Sequence, residues 1–138
     1  MTNEQTLFAV RDWDKNKDID FIMATWLRGL RYGNDWFGMI VASSYFSFYQ
    51  QFIEQLLKNP NVSVKIACLQ DDPEVILGYS VYHKNILHWV FTKKAWRKIG
   101  IAKKLVPIET STVTHLTAIG KSIMQKKTKW QFNPFLTN

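Results

Sequence analysis

The chain has 138 residues, 46% of them hydrophobic and 14% aromatic, enough to build the core of one compact domain over residues 1–138. No run of about 18 apolar residues is present, which excludes a membrane-spanning helix, and the start, "MTNEQTLFAVRDWDKNKD", lacks the basic-then-apolar order of a secretory signal, so a soluble cytoplasmic protein is expected. The net charge of +7 sits in one half: residues 1 to 69 carry seven Lys/Arg against seven Asp/Glu, and residues 70 to 138 carry eleven against four, which points to an anionic partner for the second half.

In chain order, "TLFAVRD" alternates and ends at Asp12, as a first strand does. From Asp18, "DIDFIMATWLRGLRYG" places Ile19, Ile22, Met23, Trp26, Leu27 and Leu30 at three- and four-residue spacings and stops at Gly33, which predicts an amphipathic helix. After a loop, "NDWFGMIVASS", the run "YFSFYQQFIEQLLKN" repeats Phe46, Tyr49, Phe52, Ile53, Leu56 and Leu57 on one face and is closed by "NPN", a second helix. Three strand-like segments follow, "VSVKIACLQ", "VILGYSVYH" and "ILHWVFT", joined by "DDPE" and the turn "KN", short enough for antiparallel hairpins. The single cysteine, Cys68, falls within the first of these as a small buried hydrophobe.

"GIAKKLVPIET" starts a helix at Gly100 that Pro107 must end or kink. "STVTHLTA" is the next strand, "IGKSIMQKK" a short helix and "KWQFNPFL" a last extended piece. No internal repeat, low-complexity tract or linker interrupts this order of strand, two helices, three strands, helix, strand, helix, strand.

Chemistry concentrates around "AWRKIGIAKKL", where Arg97, Lys98, Lys103 and Lys104, with Lys93 and Lys94 just before, surround Gly100. A strand that runs through a glycine-bearing loop into a helix leaves backbone N–H groups unpaired at the helix start, and a pyrophosphate is a natural ligand for them. Glycine there lets the backbone approach phosphate oxygens. A basic, solvated helix face is the competing reading.

In that context Arg97-Lys98-Ile99-Gly100-Ile101-Ala102, after the strand "LHWVFT" and before a helix, resembles the Arg/Gln-x-x-Gly-x-Gly/Ala signature of the GNAT superfamily of acyl-coenzyme A N-acyltransferases. The helix pair and the "WQFNPFL" ending are similar to short acyltransferase-like proteins of phages. The resemblance implies an α/β (α+β) fold, a mixed and mostly antiparallel sheet flanked by helices. It also implies acetyl-CoA as cofactor, the pantetheine arm at backbone groups of Val90, Phe91 and Thr92, and the pyrophosphate at the N–H groups of Arg97, Lys98, Ile99, Gly100, Ile101 and Ala102. In the family a carboxylate on the strand before the loop often serves as base; that place falls on His88 or Trp89, so His88 becomes the candidate base, against a strand histidine satisfied by a neighbour.

His115, in "TVTHLT", is placed by the same resemblance at the cofactor end of the next strand, facing His88 across the acyl site as a second proton carrier. A metal held by both with Glu109 has no supporting ligand spacing, and His83, beside the "KN" turn, reads as a surface residue. The family's last helix usually brings a tyrosine to the departing sulfur. Here it holds only Ser122, with Tyr79 and Tyr82 as distant substitutes. The aromatics Trp26, Tyr32, Trp36, Phe37, Tyr45, Phe46, Phe48 and Tyr49 read mainly as core and lid packing, with exposed members able to stack on an aromatic acceptor near Arg28 and Arg31. The implied function is acyl transfer to an amine on a protein, a nucleic acid or a small molecule, by a monomer or homodimer without membrane contact, in the host cytoplasm if phage-encoded. The alternative is a non-catalytic protein of the same fold that binds nucleic acid or a host protein.

Overall fold

The computed structural model describes residues 7–97, 99–117, 121, 123, 126 and 129–136. Strand β1 (Phe8–Asp12) leads into α1 (Lys15–Tyr32), a single turn α2 (Asp35–Gly38) and α3 (Ala42–Lys58). A meander of β2 (Ser63–Leu69), β3 (Ile76–His83) and β4 (Ile86–Thr92) follows, then α4 (Ile101–Leu105), β5 (Thr112–Val113) and β6 (Gln131–Phe132). The sheet order is β1-β2-β3-β4-β5-β6, antiparallel from β1 to β4 and parallel from β4 to β6.

Helix α1 begins earlier than the hydrophobic pattern suggests. Asp14 is its N-cap, accepting from the Lys17 N–H, and Asp18 is an interior residue that is 2% exposed. Its carboxylate takes Arg11 Nη1 at 2.8 Å, Arg11 Nη2 at 3.2 Å and the Asp14 N–H at 2.7 Å. Burial pushes this carboxyl's pKa up, but the Arg11 and Asp14 hydrogen bonds outweigh it and leave the pKa below the ordinary value. The pair ties β1 to α1. Gly33 closes the helix by donating its N–H to Gly29 O.

The expected loop after Gly33 contains α2, capped by Asn34 Oδ1, which accepts the Trp36 N–H at 2.8 Å. In α3 the buried face is Tyr45, Ile53, Leu56 and Leu57. Tyr45, not Phe46, enters the core, since its hydroxyl donates to Leu27 O at 2.6 Å and satisfies the one polar atom the ring carries.

One face of the sheet packs on α1 and α3 around Ile22, Trp26, Leu30, Ile53, Ile66 and Trp89, the indoles of Trp26 and Trp89 stacked with ring centroids 5.5 Å apart. Cys68 is buried in this layer, with Sγ 3.6 Å from Ala9 O. On the other face, among the described residues, Ile101 and Leu105 of α4 pack on Ala67 and Leu77. Helix α4 has five residues because the chain leaves helical geometry at Val106, ahead of Pro107. Beside its end an open groove of about 570 Å³ lies over β1, β2 and β3, lined by Val10, Lys65, Tyr82, Lys104, Leu105 and Glu109 among others.

Among the described residues the strand expected over 111–118 pairs in the sheet at Thr112 and Val113. The expected helix over 119–127 falls mostly outside the described residues, as does Ser122. No helix among the described residues is long and apolar enough to cross a membrane.

Candidate active site

Strands β4 and β5 run parallel but pair only at Ile86–Thr112 and Leu87–Val113, with the Thr114 N–H closing on Leu87 O at 3.1 Å. Beyond that point they separate. The cause is visible in β4: Val81 faces Trp89 and Tyr82 faces Leu87, so His88 has no partner across the ladder and forms a β-bulge, which bends a strand and ends pairing.

The bulge also decides which backbone groups are free. Lys93 donates its N–H to Leu77 O at 2.8 Å, so by the alternation of an antiparallel ladder Phe91 also turns its backbone toward β3, opposite Tyr79. Val90 and Thr92, of the other parity, turn theirs toward the opening. Of the three residues expected to meet an extended amide-bearing arm, Val90 and Thr92 therefore have the orientation, and Phe91 is committed to β3. Arg97 Nε donates to Thr92 O at 3.2 Å and closes the turn that follows.

That turn runs through a 3₁₀ segment, Lys94–Trp96, to Gly100 and α4. The Arg97 N–H is spent on Lys94 O at 3.4 Å, which removes it from the expected anion cradle, and Lys98 lies outside the described residues. In α4 the first bond is from the Lys104 N–H to Gly100 O at 3.1 Å, so the N–H groups of Ile101, Ala102 and Lys103 precede the helical ladder. Ile99, Gly100 and Ala102 are exposed, while Ile101, 1% exposed, anchors the helix. Gly100 has φ 93° with nothing within 4 Å of where a Cβ would stand. Its left-handed backbone favours glycine at this position.

His88 and His115 do not face one another across an open site. Both bond to one hydroxyl: His88 Nδ1 lies 3.0 Å from Thr114 Oγ1, and His115 Nδ1 lies 2.9 Å from the same oxygen. Thr114 is 2% exposed and His88 1%. A hydroxyl can accept two hydrogen bonds and donate one, so Thr114 Oγ1 can serve both rings. His88 Nε2 is buried without a hydrogen-bond partner among the described residues, and an unpaired lone pair is tolerated there better than an unpaired N–H. With Nε2 unpartnered, the tautomer that fits is His88 donating from Nδ1 to Thr114 Oγ1 and keeping Nε2 as a bare acceptor.

Both imidazoles are held neutral. Burial, with a smaller contribution from His83, lowers His88 to about 4. Burial and then the neighbouring His88 lower His115 to about 4, with hydrogen bonding to the His88 backbone acting the other way. His115 is half-buried in a ring of aromatics, 5.6 Å from Trp26, 5.4 Å from Phe52 and 6.1 Å from Tyr49 between centroids.

The remaining candidates are elsewhere. Tyr79 is fully buried, its hydroxyl bonded to Thr25 Oγ1 at 2.7 Å and Ile22 O at 3.1 Å, and burial raises its pKa. Tyr82 lines the groove beside α4, and so does Glu109. His83 is half-buried and bonds Asn61 O at 2.8 Å. Arg31 is 8% exposed, donates to Phe37 O at 3.4 Å and Ile40 O at 3.0 Å, and lies over Tyr45 and Phe46. It holds the α2 turn and is not an exposed cation beside the aromatics. Thr114 is the residue sequence reasoning missed; its only signal was its place next to His115.

No family model matches the sequence, and no curated protein matches it. Solved structures do match in shape. The candidate acetyltransferase YycN from Bacillus subtilis superposes with a TM-score of 0.63 at 11% identity, over 94% of this chain and 95% of that one. A candidate acetyltransferase from Pyrococcus furiosus gives 0.55 at 12% identity, over 95% and 85%. The GCN5-related glucosamine N-acetyltransferase region of a fungal multi-domain β-N-acetylglucosaminidase gives 0.51 at 17% identity, over 72% of this chain and 11% of that one. The six-stranded sheet, the bulge that parts β4 from β5 and the glycine turn into α4 are thus built on the fold of the GCN5-related N-acetyltransferases.

Proposed function

We propose that the protein is an acyl-coenzyme A dependent N-acyltransferase. The observation that carries the proposal is the parting of β4 from β5 at His88, directly before a glycine turn after which the N–H groups of Ile101, Ala102 and Lys103 precede the helical ladder. The donor set fits the cofactor: backbone amides of Val90 and Thr92 suit an extended amide chain, and the N–H groups of Ile101, Ala102 and Lys103 with the Lys103 and Lys104 ammonium groups suit phosphates. When bound, the cofactor supplies an activated acyl group as a thioester. His88 Nε2, an unpartnered acceptor on the bulge where β4 leaves β5, is assigned the role of proton acceptor.

The test is isothermal titration with acetyl-CoA, followed by a thiol-release assay with amines. Saturable heat is expected, and its absence would sink the reading. His88→Gln should retain binding and lose about 10² or more in turnover; unchanged turnover would remove His88 from the role. A second reading, cofactor binding without transfer, draws support from the two weakly basic imidazoles, and is the outcome if heat is seen and no amine is acylated.

A further inference from the structure

We propose that Thr114 is a positioning residue for the transfer, its hydroxyl holding the His88 ring in the tautomer whose Nε2 is bare. The proposal rests on the transferase reading above, in which His88 Nε2 takes the proton.

The sheet brings the two residues together. Parallel pairing sets Ile86 beside Thr112 and Leu87 beside Val113, so the next step along each strand brings Thr114 beside His88. Thr114 donates its N–H to Leu87 O at 3.1 Å, which fixes its backbone to β4 one residue before the bulge, where His88 has no partner in β3. The side chain is held as well. Thr114 is 2% exposed, and branching at Cβ restricts χ1, so Oγ1 is kept 3.0 Å from His88 Nδ1 and 2.9 Å from His115 Nδ1. The His115 ring is anchored in turn, with its centroid 5.4 Å from that of Phe52 and 5.6 Å from that of Trp26.

An uncharged imidazole has one N–H and one bare nitrogen, and the partner of either nitrogen decides which is which. A hydroxyl has a single proton to give, so at most one of the two rings accepts from Thr114 and the other carries its proton on Nδ1. Were His88 the acceptor, its proton would sit on Nε2, which is buried without a partner among the described residues. An orphaned N–H costs more there than an orphaned lone pair. His88 as donor avoids that cost and leaves Nε2 ready. In the transfer the amine nitrogen bonds the acyl carbon, the C–S bond breaks with its electrons going to sulfur, and the amine proton passes to Nε2 and from there to the thiolate or to water. The bond to Thr114 is what tells the two His88 nitrogens apart, so removing the hydroxyl lets the tautomers mix.

Nitrogen-15 NMR of the imidazoles at pH 7 reads the tautomer with no ligand present. For His88 the expected spectrum shows a protonated Nδ1 and a bare Nε2. Thr114→Val, which keeps the shape and removes the hydroxyl, should mix the two tautomers and lower kcat about tenfold, with acetyl-CoA affinity by titration unchanged. Turnover is read as thiol release with the amine used fastest in the assay above. Thr114→Ser, which restores the hydroxyl, should recover the tautomer and most of the rate; Thr114→Ala repeats the test if the valine variant does not fold. A bare Nδ1 in the unsubstituted protein, or a His88 tautomer unmoved by Thr114→Val, would overturn the proposal and leave the transferase reading standing wherever acetyl-CoA binds and an amine is acylated. Mixed tautomers with kcat unchanged would overturn the positioning role. Absence of acetyl-CoA binding, or of thiol release with every amine, would overturn the transferase reading and the role of Thr114 in the transfer with it.

Discussion

Acidification from pH 7 to pH 5 should weaken the fold by about 3–4 kcal/mol through His88 and His115. Each is lowered from 6.5 to about 4 in the folded chain. Between those values the unfolded chain binds protons that the folded chain refuses, so stability is fully present above pH 6.5 and is lost as pH falls toward 4. Integrating over that window gives about 2 kcal/mol for each ring by pH 5, a large share of the roughly 5–15 kcal/mol that holds a domain folded. The two rings share Thr114, so they titrate as a pair. Asp18, lowered from 3.8, contributes stability above that value that is lost only as pH falls further, outside this window. Urea unfolding followed by tryptophan fluorescence at pH 7, 6 and 5 measures the effect. His115→Phe, whose ring suits a site bounded by Trp26, Tyr49 and Phe52, should remove about half of the pH dependence. A midpoint that stays constant from pH 7 to pH 5 would refute the assignment of both rings as held neutral in the folded chain.

Trp26→Ala should cost about 3–5 kcal/mol, because the ring is fully buried and stacked on Trp89; chemical denaturation reads it, and a loss below about 1 kcal/mol would mean that the layer collapses around the gap. Gly78→Ala should part β3 from β4, since a Cβ there would stand 2.5 Å from Phe91 O; increased proteolysis and loss of the native circular-dichroism signal are expected, and a native-like variant would contradict this packing. Tyr45→Phe removes the hydroxyl bonded to Leu27 O and should cost about 1 kcal/mol, with the midpoint of thermal unfolding as the measurement.

The first half of the fold was legible because periodicity and position agree there. Ile22, Trp26 and Leu30 fall at helical spacing and all enter the core, and the short joints "DDPE" and "KN" do force the β2-β3-β4 meander. Pro107 was correctly read as the limit of α4. Helix α1 starts at Lys15, ahead of the Asp18 from which the pattern is read, because its cap is Asp14; Asp18 lies in the first turn, where its carboxylate pairs with Arg11. The strand at 111–118 is short for a reason no local pattern carries: its partner bulges at His88, and pairing ends there. At the site, the motif at Gly100 and the two histidines could be found one residue at a time. What could not be read is that Thr114 joins them, since a hydroxyl that bonds a ring 26 residues away in sequence depends on two strands lying side by side.

The strand order β1-β2-β3-β4-β5-β6 also bears on how the chain reaches this structure. Each strand pairs with the one before it in sequence, and β2, β3 and β4 do so across short joints whose closure costs little entropy. The meander is therefore the unit expected to form early, with β1 joining only after the α1–α3 segment is in place and β5 docking last on a bulged edge. Substitutions that weaken the β2–β3–β4 ladder should slow refolding, while those at Thr112 or Val113 should chiefly accelerate unfolding. On this order the opening between β4 and β5 is completed only at the end of folding.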